Sequence, residues 1–369
     1  MNKVRLGDVA TYINGYAFKP DDRGSVGLPI IRIQDLTGNS YDLGFYDGEY
    51  PERIEINDGD VLISWSASLG VYVWNKGKAL LNQHIFKVVF DKLEIDKQFF
   101  VYAVEHNLQE MVKQTHGATM KHIIKKDFDN TLIPYPPLEQ QKLIAKSLDR
   151  TCNLIEKLKT QSALLDELIK SRFVEMFDSL TNNTAFSDLC TIITDGTHQP
   201  PKFVKEGIPF LFVSNIVTNS INYEAEKFIS EDTYNELYKR TPIEIGDIIM
   251  STVGSYGHPA VVTSNKKFLF QRHIAYLKPK KEIINPLFLH SAILSEKVQE
   301  QIERRVKGIA QKTLNLSEIK QLRIPLPELK KQNQFADFVT QVEKQKATIQ
   351  QSIDKLETLK KSLMQEYFG

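Results

Sequence analysis

Only two cysteines, Cys152 and Cys190, occur among the 369 residues, one on a helical stripe and one in a strand-like run. That excludes a disulfide framework and a cysteine-built zinc site, and it makes a reducing cytoplasm the expected compartment. No stretch approaches the roughly 18 consecutive apolar residues of a membrane-spanning helix, and the N-terminus MNKVRLGDVATYING has no apolar core for a signal peptide. Neither membrane insertion nor secretion is expected. A surplus of one charge is missing too, since 47 Lys and Arg stand against 46 Asp and Glu.

Catalytic motifs are equally scarce. No GxxxxGK(S/T) phosphate loop is present, which excludes ATP-driven motor chemistry in this chain. Adenine methylation needs an Asn/Asp-Pro-Pro-aromatic loop. The nearest stretches, Pro134-Tyr135-Pro136-Pro137 and Gln199-Pro200-Pro201-Lys202, lack the acidic or amide residue and the closing aromatic. Glu318-Ile319-Lys320 and Glu328-Leu329-Lys330 offer the Glu-x-Lys end of a nuclease site without a partner carboxylate. His84-Ile85 and His273-Ile274 recur inside expected strands, which suits structural histidines better than general bases. No catalytic constellation and no metal site is expected.

What the chain does contain is a duplication. Ile133 to Phe177 comes back as Ile324 to Phe368, each a short proline-marked lead followed by a long helical pattern. The first apolar stripe runs Ile144, Leu148, Ile155, Leu158, Leu165, Leu168, Met176. The second runs Phe335, Val339, Val342, Ile349, Ile353, Leu356, Leu359, Leu363, Tyr367. Both are a/d seams of a coiled coil. Ser162 matches Ile353 and Lys346 matches Ile155, so the gaps differ, which suits pairing of the two helices with each other. About 38 residues would make a rod of about 57 Å; ordinary bundle helices are the plainer alternative.

The repeat extends beyond the helices. Gly27-Leu28-Pro29-Ile30 returns as Gly207-Ile208-Pro209-Phe210, and Gly59-Asp60-Val61-Leu62-Ile63-Ser64 as Gly246-Asp247-Ile248-Ile249-Met250-Ser251. The offset grows along the chain with order preserved, as in a tandem repeat with insertions in loops. Gly-Asp ahead of a β-branched run predicts a tight turn feeding a strand, and Ile85 to Phe90 and Ile274 to Leu277 predict strands. Phe99 to Lys113 and Pro286 to Arg305 have helical spacing, and Asp178 to Thr184 reads as a linker. The expected fold class is α+β: two tandem-repeated domains of mixed helix and strand separated by two long antiparallel coiled-coil helices with pseudo-two-fold symmetry. The expected divisions are 1–137, 138–178, 179–327 and 328–369.

Charge is unevenly spread despite its balance. Residues 70–126 carry 9 basic against 5 acidic residues and residues 263–323 carry 13 against 5, whereas residues 1–69 carry 6 against 11. Each half thus has a basic later portion, the footprint of a phosphate-facing surface.

Asp195-Gly196-Thr197-His198-Gln199-Pro200-Pro201, Gly308-Ile309-Ala310-Gln311-Lys312 leading to Ile324-Pro325-Leu326-Pro327, and Pro134-Tyr135-Pro136-Pro137-Leu138-Glu139-Gln140-Gln141 carry a family resemblance. In their order, duplication and spacing the chain resembles the specificity (S) subunit of type I restriction-modification systems over essentially its whole length. It departs from that pattern at Ile13 to Phe18, which face Ile193 to His198, and at Glu328-Leu329-Lys330-Lys331. Those differences imply unequal half-sites.

The resemblance implies a non-catalytic DNA-reading subunit in which each recognition domain reads one part of a bipartite, asymmetric target in double-stranded DNA. The helices would serve as ruler and as docking site for two modification (methyltransferase) subunits, joined in complete systems by two restriction subunits. S-adenosylmethionine, ATP and Mg would belong to those partners, with N6-adenine methylation as the product. The alternatives are a coiled-coil adaptor that binds protein only, an enzyme with a hidden nuclease site, and the specificity part of a methylation-only system.

The duplication also nominates residues. Groups identical in both halves cannot read unequal half-sites, so matched but differing positions are the specificity candidates. Trp65, Ser66 and Ser68 face Thr252, Ser255 and Tyr256; Gln83 faces Arg272; His116 and Lys121 face Lys307, Gln311 and Lys312. His198 joins them from the Asp-Gly-Thr-His stretch. Arg and Lys suit guanine edges, and Gln and Asn suit adenine. Lys19, Arg23, Lys125, Lys126, Lys202, Arg304 and Arg305 read as phosphate contacts. Leu148, Ile155, Leu158 and Leu165 on the first helix, with Val339, Ile349, Leu356 and Leu363 on the second, are expected on the partner-docking helices.

Overall fold

The computed structural model describes residues 2–114, 124–308 and 311–369. They form two compact units, Met1–Leu158 with Ser352–Gly369, and Lys159–Gln351. The division between them falls inside both long helices.

In the first unit β1 (Thr11–Asn14), β2 (Val61–Ser64), β3 (Gly70–Val73) and β4 (Ile85–Val89) make an antiparallel sheet in the order β1-β4-β2-β3. Strand β2 is buried on both faces, which explains its unbroken apolar run. Val61 and Ile63 point into a core shared with Phe99, Phe100, Val104 and Leu108 of helix α1 (Lys97–Gln114). Leu62 points the other way, into a core shared with a second, mixed sheet built from Phe45–Tyr46, Leu28–Ile31, Ala79–Leu81 and Glu55–Ile56.

The second unit repeats the plan. After helix α2 (Leu138–Phe177), β5 (Cys190–Asp195), β6 (Ile248–Ser251), β7 (Pro259–Val261) and β8 (Ile274–Pro279) form a sheet in the order β5-β8-β6-β7. Ile248 and Met250 face Phe288 and Leu289, while Ile249 faces the opposite core. Gly59 and Gly246 take φ of 89° and 90° in front of β2 and β6, a backbone that glycine adopts without penalty. The following aspartates close the same turn twice: Asp60 accepts from the Asn57 amide and Asp247 from the Glu244 amide, each at 2.8 Å.

Three expectations are corrected. The helical stretch Pro286 to Arg305 is two helices, α3 (Pro286–Leu294) and α4 (Glu296–Arg305). The break lies at Ser295, whose ψ of 148° is extended and whose hydroxyl donates to the Ala292 carbonyl. The expected linker is partly ordered, since Asn183–Ala185 pairs with Arg323–Pro325 just as Lys3–Arg5 pairs with Leu132–Pro134. His84 and His273 stand in turns one residue before β4 and β8. His84 has φ of 71°, and its buried Nδ1 has no partner among the described residues.

Helices α2 and α5 (Leu329–Phe368) are each 40 residues long. The first starts in the first unit and ends in the second, and the other does the reverse. Within the second unit Asp166 meets Lys346 at 2.6 Å and Phe173 meets Phe335 at 5.5 Å between ring centroids, so the paired segments run antiparallel. Lys346, the polar gap in the apolar stripe, is filled by ion pairs to Asp166 and Glu343. Within the first unit Phe368 packs on Phe99 at 5.2 Å and shares a core with Leu148 and Met364.

One buried glutamine secures the start of each long helix. Gln141 accepts from the Asp96 amide and donates to the Pro136 carbonyl. Gln332 accepts from the Asn285 amide and donates to the Pro327 and Ile283 carbonyls.

Candidate nucleic-acid interface

The site grows out of the end of the main sheet where β5 stops and β8 starts. Thr252, the first residue after β6, donates its amide to the His273 carbonyl at 3.0 Å and accepts from the Leu314 amide at 2.8 Å. The Gly254 amide reaches the Lys312 carbonyl, and Lys307 and Thr313 exchange backbone hydrogen bonds. The Thr252–Leu314 and Gly254–Lys312 bonds stitch the loop after β6 to the segment following α4, and the Lys307–Thr313 pair closes that segment on itself. A cleft of about 480 Å³ opens there, lined among others by Asp195, Thr252, Arg272, His273 and Gln311. Three candidates from separate stretches of sequence, Thr252, Arg272 and Gln311, thus share one concavity.

Its electrostatics follow from the neighbours. Burial lowers the His273 pKa and the Arg272 guanidinium lowers it further, so a neutral imidazole sits beside a permanent cation. Tyr256 donates to Glu303 at 2.6 Å, with Lys312 3.4 Å from the same hydroxyl and 3.7 Å from that carboxylate. The hydrogen bond to Tyr256, then Glu303, holds Lys312 above the usual lysine range. Lys307 pairs with Glu318 at 2.9 Å, and Arg304 with Glu300 at 2.9 Å. Ser255 is exposed; Arg305 is half-buried.

The matching corner of the first unit has the same backbone and a different filling. The Trp65 amide donates to the His84 carbonyl, as Thr252 does to His273. Its ring stacks on Phe86 at 5.6 Å with an interplanar angle of 22°, meets His84 edge-on, and donates Nε1–H to Asn14. In the second unit the corresponding positions are Thr252 and Ala275, and their small side chains leave the cleft. Gln83, like Arg272, is exposed in the turn before the last strand, and Ser68 is exposed while Ser66 is buried.

The remaining candidates are scattered. Lys19 and Arg23 flank a short 3₁₀ turn at Pro20–Asp22, with Arg23 tied to Asp42 at 3.1 Å. Lys125 pairs with Asp129 at 3.2 Å; Lys126, His198 and Lys202 are exposed. His116 and Lys121 lie outside the described residues.

The residues expected on the partner-docking helices differ in burial. Leu148 and Val339 are core residues, Ile155 and Ile349 are buried, and Leu158, Leu165, Leu356 and Leu363 are half-buried. The large apolar side chains that α2 leaves exposed are Leu143, Leu154, Leu164, Leu168 and Val174, and Leu359 of α5 is exposed as well, so neither Leu168 nor Leu359 is a seam residue. Sequence reasoning also left out Asp195 and Arg240 as site residues. The structure shifts the sequence match at this strand end by one residue, placing Asn14 rather than Gly15 opposite Asp195 and Gly15 opposite Gly196, so the aligned sequences held no direct signal for the pair. Among the described residues no group of three or more His, Cys, Asp or Glu is placed to hold a metal, and no helix is long and apolar enough to cross a membrane.

Comparisons with known proteins agree with this architecture. The chain is 27% identical to the Escherichia coli type I restriction enzyme EcoBI specificity subunit over 376 residues, covering 92% of this chain and 78% of that one. It is 23% identical to the Methanocaldococcus jannaschii MjaVIII specificity subunit over 387 residues, covering 98% and 90%. In fold it is similar to the crystal structure of a type I restriction-modification S subunit from M. genitalium, with a TM-score of 0.58 at 15% identity, covering 100% and 96% of the two chains. The family described as the type I restriction modification DNA specificity domain matches twice, over residues 1–166 and 183–358, and the chain belongs to that family.

Proposed function

We propose that this chain reads a two-part, asymmetric DNA sequence, one part per unit, and brings modification subunits to it. The observation that carries the reading is the sheet-end corner, built on one backbone plan in both units but filled with Trp65 and Gln83 in one and Thr252 and Arg272 in the other. A duplicated scaffold with divergent side chains at matched positions is what unequal half-sites require. Two modification subunits would dock on the helices, with Leu143, Leu154, Leu164 and Leu168 as the apolar contacts, and restriction subunits would add to the complex where the system has them. S-adenosylmethionine, ATP and Mg are assigned to those partners, and the cytoplasm is the compartment that gives access to DNA.

The test is N6-methyladenine sequencing of the host genome with and without this gene. Loss of one split, asymmetric methylated motif on deletion is the expected result and reads out both half-sites. An unchanged methylome, with modification genes intact and expressed, would favour a protein-binding adaptor.

A further inference from the structure

The last residue of the first strand in each main sheet occupies the same place, since Asn14 pairs with Phe86 and Asp195 with Ala275. In each unit that residue holds a different donor. Asn14 accepts from the Trp65 indole at 3.3 Å. Asp195 accepts from Arg240 Nη2 at 2.5 Å, and the His198 ring nitrogen lies 3.0 and 3.1 Å from its two oxygens. The Asp195 side chain is only 15% exposed, whereas those of Arg240 and His198 are 51% and 52% exposed. Arg240 follows the helix Glu231–Tyr238 and would be free to sample many directions without this anchor. A guanidinium is planar, with five N–H groups in a fixed fork, so fixing one edge fixes the direction of the other.

We propose that Asn14 and Asp195 are positioning residues that decide which side chains each unit presents to DNA: an uncharged indole from the first, an arginine and a histidine from the second. The inference rests on the DNA-reading function proposed above and adds Asp195, Arg240 and Asn14 to the groups that set specificity. A carboxylate at a DNA-facing lip repels phosphate. Asp195 is tolerated there because its charge is spent on orienting a cation that makes the contact.

That argument fixes a sign. If Asp195 merely sat near the duplex, Asp195→Asn would remove a negative charge and tighten binding to every sequence. As a positioning residue, the same change loosens binding to the full target by about tenfold, the size of one arginine contact to a base edge. The assembled complex with its modification subunits is titrated with duplexes carrying the full bipartite target and single-base changes in each half. Asp195→Asn and Arg240→Ala are expected to relax base preference in the same half only, and the double variant to lose no more than the larger single one. Asn14→Ala is expected to relax the other half while leaving the salt slope unchanged, because Trp65 carries no charge. Unchanged or tighter target binding by Asp195→Asn overturns the inference, as does equal loss on both halves. The wild-type titration separates the two failures: a complex with no preferred split target refutes the DNA-reading function itself.

Discussion

Arg272 and Lys126 illustrate how two exposed cations differ in what they can tell. Arg272 projects into the cleft beside a neutral His273, where a paired hydrogen bond to a guanine edge is within its chemistry. Arg272→Ala should cost about 1 to 3 kcal/mol on one half-site only, read by titrating half-site variants, whereas Lys126→Ala should weaken all sequences alike and reduce the salt slope by about 1. Equal loss on both half-sites for Arg272→Ala would contradict its assignment. Buried groups follow different rules. Gln332 serves one amide and two carbonyls at once, so Gln332→Ala leaves several buried groups unpaired and should destabilise the chain by about 2 to 3 kcal/mol in thermal unfolding. Burial also holds His290 below the ordinary imidazole range, outweighing the Asn219 and Pro259 carbonyls that face it. The unfolded chain therefore binds that proton more tightly. Its contribution is full above about pH 6.5 and falls away as pH drops below that value. His290→Gln should flatten this acid-side decline in the unfolding midpoint.

Among the elements, those with a strong period were the legible ones. The heptad stripes and the recurring Gly-Asp turns forecast α2, α5, β2 and β6, because burial on a helix face or inside a two-sided strand leaves an unmistakable pattern. Ser295 was missed because apolar spacing continues across it, and only its hydroxyl bond to Ala292 shows the break. The strand Asn183–Ala185 was missed because its polar residues pair with a partner far along the chain. The site was legible to the same degree: matched positions pointed to Thr252 and Arg272, but nothing local links Arg240 to Asp195. Periodicity marks which helix residues are buried and does not by itself separate seam from docking roles. The exposed leucines separate the roles. Leu164→Glu with Leu168→Glu should leave the unfolding midpoint nearly unchanged and abolish co-purification of modification subunits. Loss of folding instead would return these leucines to the structural seam.

For the molecule as a whole, the two compact units are not the two halves of the sequence. The first is completed by Ser352–Gly369, with Met364 and Phe368 in its core. Phe368→Ala should cost about 3 to 5 kcal/mol, since it leaves a cavity against Phe99. Ending the chain at Gln351 should make residues 1–158 readily cleaved in limited proteolysis, although the cut lies far away in sequence. Protection of that segment in the shortened chain would show that the first unit stands alone.

This crossing of the chain between units also sets a timetable. A ribosome emits residues 1–158 early, yet the piece that closes their core lies beyond residue 351. At about 5 to 20 residues per second, the wait is roughly 10 to 40 s. During that interval the nascent first unit lacks the residues that cover the apolar surface on which Met364 and Phe368 will settle. A chain broken off before residue 352 lacks Met364 and Phe368 and leaves that surface open.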